Sequence, residues 1–355
     1  MIKRRKTRQI SIGSVKVGGD APISIQSMTK TDTRNIYATV REIKRLEQAG
    51  CEIVRVAVVD EVAARAISEI KKNIKIPLIA DIHFHHQLAL KAIEAGADAI
   101  RINPGNIGGK ERLKSIVIEA QKRSIPIRIG VNAGSLEREL LKRFGGPTPE
   151  AMVESALKTI SLMEDLNFNL IKVSLKASDV LRTVEAYRLF SERSDYPLHV
   201  GVTEAGIGTS AIVKSSIAIG SLLSNGIGDT IRVSLTGDPV QEVQVAAEIL
   251  RALKIREKGV DIISCPTCGR CEVNLIPIVK RVEKEVKNIS LPITVAIMGC
   301  VVNGPGEAKE ADIGIAAGRS SGVLFKKGKV IKKVKVEDFV KVLLNEIDEM
   351  VKKDS

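Results

Sequence analysis

The sequence predicts an α/β chain: a (β/α)8 TIM barrel followed by a smaller α+β domain. Three observations carry this. From residue 20 to about 253, segments rich in Ile, Val, Leu and Ala alternate with helical stretches, the palette of buried parallel strands packed by helices. Four of the strand segments repeat nearly the same five residues. Four of the five cysteines fall beyond residue 264, in a stretch of different character.

The elements follow in order. Residues 23–28 read as a first strand, and a helix over 40–49 is stopped by Gly50. Further strands are expected near 53–57, 78–82, 99–103, 127–132, 170–175, 198–203 and 230–235, each followed by a helix, the last over 239–253. Eight such units fit a closed barrel. A doubly wound open sheet is the alternative, weakened because no G-x-G-x-x-G follows the first strand. Residues 254–260 read as a linker, giving a substrate-binding barrel over 1–256 and a second domain over 257–355. In the latter, strands are expected at 260–263, 293–298, 313–316, 323–326 and 330–334, with helices at 272–286 and 336–351.

The repeat is informative. Glu52-Ile53-Val54-Arg55-Val56, Asp98-Ala99-Ile100-Arg101-Ile102, Asn169-Leu170-Ile171-Lys172-Val173 and Asp229-Thr230-Ile231-Arg232-Val233 fall on strands two, four, six and eight. Alternate barrel strands supply one interior layer. The repeat therefore places Arg55, Arg101, Lys172 and Arg232 near one level. Period-two alternation continues that face through Asn103, Ser174, Lys176 and Ser234, and other strands add Arg128 and Asn132. Two unit charges roughly 8 Å apart repel by about 2 kcal/mol at an effective dielectric of about 20. Such a layer needs an anion, and a ligand with two phosphates suits Arg forks and Lys heads. The competing reading is a structural network neutralised by Asp81 and Glu204, with Lys172 and Lys176 reaching to solvent. Asp81 and His83, at the end of strand three, read as active-site polar groups rather than metal ligands. Glu204, at the C-terminal rim of strand seven, is a candidate proton donor.

The formal charge is +13 and there is no Trp. Few aromatics and no nucleic-acid motif argue against nucleic-acid binding. An anionic substrate inside and an acidic redox partner outside fit better. No run of eighteen apolar residues suggests a membrane span. The basic N-terminus lacks an apolar core and is no secretory signal, so a reducing, cytoplasmic location is expected.

Cys265-Pro266-Thr267-Cys268-Gly269-Arg270-Cys271 with a distant Cys300 is ferredoxin-like spacing for an iron–sulfur cluster, and zinc also accepts such arms. By spacing, Cys265, Cys268, Cys271 and Cys300 are the four ligands. Cys51, at a helix–strand junction, reads as a buried core thiol.

The barrel strands, with Ser264-Cys265-Pro266-Thr267-Cys268-Gly269 and Met298-Gly299-Cys300-Val301-Val302-Asn303-Gly304-Pro305-Gly306-Glu307, closely resemble the 4-hydroxy-3-methylbut-2-enyl diphosphate synthase family over nearly the whole chain. The length matches its bacterial two-domain form. The resemblance implies a reductive ring opening of 2-C-methyl-D-erythritol 2,4-cyclodiphosphate in isoprenoid biosynthesis. Two electrons enter through a [4Fe–4S] cluster fed by flavodoxin or ferredoxin. It implies Cys265, Cys268, Cys300 and Glu307 as cluster ligands, leaving Cys271 out. A carboxylate is a weaker partner for iron than a thiolate and can yield its place. It also implies substrate contacts from Arg55, Arg101, Arg128, Asn132, Lys176, Arg232, Ser234 and Asn303, with Glu204 as the barrel carboxylate. Lys172 and Asn103 come from the strand pattern alone. Family members are homodimers in which the cluster domain of one subunit caps the barrel of the other. The rivals are an iron–sulfur reductase of the sulfite/nitrite type, whose modules the small domain resembles, and a zinc-stabilised RNA-binding protein.

Overall fold

The computed structural model describes residues 2–287, 289–300 and 308–354. They form two compact units, Met1–Ile255 and Arg256–Ser355.

The first unit opens with a small hairpin, β1 (Ile10–Ile12) and β2 (Val15–Val17). Eight parallel strands follow: β3 (Ser24–Met28), β4 (Ile53–Ala57), β5 (Leu78–Ile82), β6 (Ala99–Ile102), β7 (Ile127–Asn132), β8 (Ile171–Lys176), β9 (His199–Val200) and β10 (Thr230–Ile231). Their order is β8-β7-β6-β5-β4-β3-β10-β9. A single bridge, Val173 to Leu198, joins β8 to β9, and the Val173 N–H donates to Pro197 O at 3.0 Å. The sheet thus closes on itself, and the open-sheet alternative falls.

The helices between strands begin where polar residues can cap them. Asp60, Thr148, Asp179 and Asp238 each accept a backbone N–H from the first turn of the helix that follows, a cap worth about 1 kcal/mol. Their apolar faces bury against the outside of the strands. The hairpin was not anticipated. Ile10, Ile12 and Val17 pack on Ile53, Ile79 and Ala99, the lowest inward residues of β4, β5 and β6. The N-terminal end of the barrel is therefore apolar and plugged. Two residues further along each strand, on the same face, stand Arg55, Asp81 and Arg101.

In the second unit, β11 (Val260–Ser264), β12 (Ile293–Met298), β13 (Ile313–Ala317), β14 (Ser321–Lys326) and β15 (Lys329–Lys335) form one mixed sheet in that order. The helices Leu275–Val286 and Phe339–Asp354 pack on one face. The first helix starts three residues later than expected, and the second is preceded by a 3-10 turn, Val336–Asp338. β11 and β12 are parallel, Ser264 opposite Ile297, so Cys265 and Cys300 leave the same end of neighbouring strands. No helix among the described residues is long and apolar enough to cross a membrane.

Candidate functional site

The repeat residues meet inside the barrel, and a fifth strand joins them. Arg101 stands opposite Arg128 in the β6–β7 register, and Arg128 opposite Lys172 in the β7–β8 register. Cations on adjacent strands, not only alternate ones, therefore neighbour each other. Arg101, Arg128, Lys172 and Lys176 are buried. Arg55 and Arg232 are slightly more open, their side chains 11% and 15% exposed. The lysines do not reach solvent.

The charges shape one another. Burial, reinforced by Arg55 and Arg101, pushes Arg128 well below the usual guanidinium range. Burial lowers Arg55 to about 10, with Asp81 opposing and Arg232 and Arg101 adding to the fall. Lys172 and Lys176 are held well below the usual amine range by burial and by neighbouring arginines. Burial opposes ionisation of Asp81, but Arg55 and Arg101 prevail and hold its carboxyl well below the ordinary range. Arg128 Nε and Nη1, Lys172 Nζ and Arg232 Nε meet no hydrogen-bond partner among the described residues. Unsatisfied buried donors cost about 1–3 kcal/mol each, so the layer suits an incoming anion.

Arg101 is the most constrained member. Nη1 donates to Asp81 Oδ1 at 3.1 Å and to His83 Nε2 at 2.8 Å, and Nη2 donates to Gly130 O at 3.0 Å. A guanidinium only donates, so His83 accepts through Nε2 and carries its proton on Nδ1. Asn132, with its amide oriented to satisfy both groups, accepts from Arg101 Nη2 at 3.2 Å. Gly130 has no side chain because a Cβ there would run into Arg101 Nε.

The neutralising acids are partly different from those expected. Asp81 pairs with Arg101 and, at 3.6 Å, with Arg55. Glu204 makes no such pair among the described residues and is exposed. That corrects its reading as a partner of the arginines. The second acid is Glu242, from the helix Pro239–Ala252. It lies 3.4 Å from Arg232 and 3.3 Å from Lys30, and it also accepts from Leu235 N and Ser27 Oγ. The signal was available: a Glu between Pro239, Val243 and Ala246, on the apolar stripe of a helix, needs a buried cation.

Above this layer lies a pocket of about 400 Å³ at the C-terminal end of the strands. His83, Asn103, Asn132, Ser135, Arg182 and Glu204 contribute to its wall. Asn103 donates to Ser135 Oγ at 2.7 Å, and Ser234 is half-buried two residues beyond Arg232. Glu204 has φ +54°, a left-handed conformation uncommon for a side-chain-bearing residue and found where function holds strain. Arg182 and Ser135 carried no sequence signal. Cys51 is buried, and burial raises its thiol to about 12.

In the second unit, Thr267 has φ +54°, which turns the arm between Cys265 and Cys268. The Gly299 N–H donates to Cys265 Sγ at 3.3 Å. A Cβ on Gly299 would run into Cys271 Sγ and lie 3.3 Å from Cys265 Sγ. This is a cradle shaped by sulfur, with an N–H aimed at a sulfur as clusters require; the donor set fits an iron–sulfur group. Cys271 points its thiol at Val273 O, 3.2 Å away, while Cys268 is exposed. Among the described residues no three His, Cys, Asp or Glu side chains are gathered tightly enough to hold a metal ion. Asn303 and Glu307 lie outside the described residues.

Comparison with known proteins covers both units. The family model described as the GcpE TIM-barrel domain matches residues 7–247, and that described as the GcpE protein C-terminal domain matches 261–349. A relative from Thermodesulfovibrio yellowstonii is 62% identical over 347 residues, 98% of this chain and 99% of its own. One from Caldanaerobacter subterraneus subsp. tengcongensis is 61% identical over 355 residues, the full length of both. Each is named 4-hydroxy-3-methylbut-2-en-1-yl diphosphate synthase (flavodoxin). Among solved structures, a dihydropteroate synthase from Stenotrophomonas maltophilia is 12% identical with a TM-score of 0.50, covering 70% of this chain and 97% of its own. A type I 3-dehydroquinate dehydratase from Clostridium difficile is 16% identical with the same score, covering 70% and 98%. These two likenesses speak to the barrel fold alone.

Proposed function

The chain belongs to the GcpE family, and we propose that the basic layer beneath its barrel pocket is where that family's cyclic diphosphate is held. Its activity is the reductive conversion of 2-C-methyl-D-erythritol 2,4-cyclodiphosphate to (E)-4-hydroxy-3-methylbut-2-enyl diphosphate in isoprenoid biosynthesis, and it is flavodoxin-dependent. The observation that carries the site is the imbalance inside the barrel: six cations against Asp81 and Glu242, with N–H donors of Arg128, Lys172 and Arg232 unpartnered. Two phosphates supply the missing acceptors.

In this reading Arg55, Arg101, Arg128 and Arg232, with Lys172 and Lys176, grip the phosphates from below. Asn103, Asn132 and Ser234, joined by Asn303, orient the carbon skeleton. Asp81 holds the Arg101 fork in place, and His83 offers Nδ1–H to the pocket. A carboxyl oxygen of Glu204 gives its proton to the departing hydroxyl, which leaves as water. Cys265, Cys268 and Cys300, with Glu307, hold a [4Fe–4S] cluster. That group supplies the two electrons and Lewis-acid help to the leaving hydroxyl. Flavodoxin delivers the electrons, and the compartment is the reducing cytoplasm.

We further take the working form to be a homodimer in which the cysteine-bearing unit of one copy serves the barrel of the other. What supports this is that Tyr37, Val59, Phe84, Leu181 and Ile207, each on a connection or first helical turn that follows a barrel strand, are exposed, and large apolar side chains left exposed on one face mark a contact surface.

The test is anaerobic turnover of the cyclodiphosphate with a chemical reductant, with product identification. Arg101→Leu and Arg232→Leu should lose binding by calorimetry with the fold retained. Iron and sulfide content should survive Cys271→Ser and fall in Glu307→Ala; the reverse pattern overturns the ligand set.

A further inference from the structure

Cys271 is the thiol that the proposed ligand set leaves over, yet it is not remote. Its sulfur and that of Cys265 both lie within 3.3 Å of the point where a Gly299 side chain would begin. The two sulfurs are oriented differently. Cys265 Sγ accepts the Gly299 N–H, whereas Cys271 Sγ donates to Val273 O. The Cys271 end of the arm between them is fixed, because the Cys271 N–H donates to Cys268 O at 2.9 Å and the Glu272 N–H to Gly299 O at 2.8 Å. Cys271 is half-buried, within reach of small oxidants. A ligand-type thiol and a spare thiol thus face one another across a residue with no side chain.

We propose that Cys265 and Cys271 form a disulfide when peroxide strips the iron from this site, and that the pair keeps Cys265 recoverable as a ligand. The inference rests on the reading that Cys271 is not itself a ligand. The chemistry balances in two steps. Hydrogen peroxide oxidises the Cys265 thiol to a sulfenic acid and leaves as water. Cys271 sulfur then attacks the Cys265 sulfur; the S–S bond forms, the S–O bond breaks, and the hydroxyl leaves with the thiol proton as a second water. The two thiols lose two electrons and two protons, and peroxide gains them. A dithiol reductant reverses the bond by exchange. Without Cys271, the sulfenic acid has no built-in partner on the far side of Gly299 and proceeds to the sulfinic acid, which thiols do not restore.

Full-length iron-loaded protein is exposed to hydrogen peroxide, its open thiols are blocked with iodoacetamide, and it is digested with trypsin without reduction. Cleavage after Arg270 separates the two cysteines, so their bond joins two peptides. Fragmentation placing that bond between Cys265 and Cys271 is the expected result; no cross-link, or one from Cys271 to Cys268 or Cys300, overturns the proposal. After dithiol treatment and re-addition of iron and sulfide, the wild type should regain several-fold more visible absorbance than Cys271→Ser. Equal recovery overturns it too. The ligand reading is checked separately by anaerobic alkylation of unoxidised protein, where Cys271 should react while Cys265, Cys268 and Cys300 are shielded. Shielding of Cys271 sinks the ligand set, a result distinct from a missing cross-link.

Discussion

Replacing Arg128 with Met should move stability and binding in opposite directions. Arg128 is fully buried, and its Nε and Nη1 have no partner. Burial, Arg55 and Arg101 all disfavour its charge; Asp81, and after it Tyr187, oppose them. A like charge roughly 8 Å away costs about 2 kcal/mol at an effective dielectric of about 20. Each unsatisfied donor adds about 1–3 kcal/mol. Met keeps much of the apolar stem and removes both costs, as when buried ionic groups give way to packed apolar ones. The ligand-free variant should therefore gain about 2–3 kcal/mol. At about 2–4 °C per kcal/mol for a domain of this size, Tm should rise by about 5–10 °C in calorimetry. Losing a buried charge-assisted contact to phosphate costs about 2–5 kcal/mol, so Kd for the cyclodiphosphate should weaken at least about thirty-fold. If Tm instead falls in the ligand-free protein, Arg128 is a structural member of the core. If Kd is unchanged, the barrel interior is not the anion site.

Three further outcomes follow from the same geometry. Gly130→Ala should displace the Arg101 guanidinium, which the new Cβ would strike, weakening cyclodiphosphate binding about ten-fold or more while circular dichroism stays unchanged. Glu242→Gln leaves Arg232 and Lys30 without their buried carboxylate and should lower stability in urea by about 3–5 kcal/mol. His199 is held well below the ordinary imidazole range by burial, then by Lys176 and Arg128. Its unfolded form therefore takes up a proton first, and the fold loses stability as pH falls below about 6.5, by up to about 1.4 kcal/mol per unit. The ligand-free Tm should drop between about pH 6.5 and 5, and His199→Asn should flatten that part of the curve.

Legibility in the sequence depended on how local each determinant is. Arg55, Arg101, Lys172 and Arg232 could be read because a charged residue at the inward parity of an apolar strand violates the usual burial rule, and four violations at one position name a layer. Arg128 lacked that repeated frame, and only the β6–β7 and β7–β8 registers bring it between Arg101 and Lys172. The strands expected over 198–203 and 230–235 end after two residues each, at Val200 and Ile231. Their composition is strand-like throughout, but Gly201 sits at φ +146° and a Cβ there would strike Arg232 O. The backbone at Gly201 leaves the conformation of a regular strand, which no propensity records. The plug formed by β1 and β2 is missed for a related reason: two three-residue strands have too little alternation to register, and their stability comes from Ile53, Ile79 and Ala99 far along the chain.

Glu242 shows what pattern reading lacks at the site itself. Its buried place on a helix face was visible, but its partners were not, because Lys30 and Arg232 reach it from β3 and β10 sides of the closed barrel. Glu204, the acid that motif reading favoured, is left exposed at the pocket wall in a left-handed backbone. The two carboxylates therefore differ in depth. The buried one is engaged by Arg232 and Lys30. The exposed one makes no ion pair among the described residues and lines the pocket, which suits the proton-donor role proposed for it. Motif position nominated Glu204 alone; Glu242 stands out only through its burial against Arg232 and Lys30.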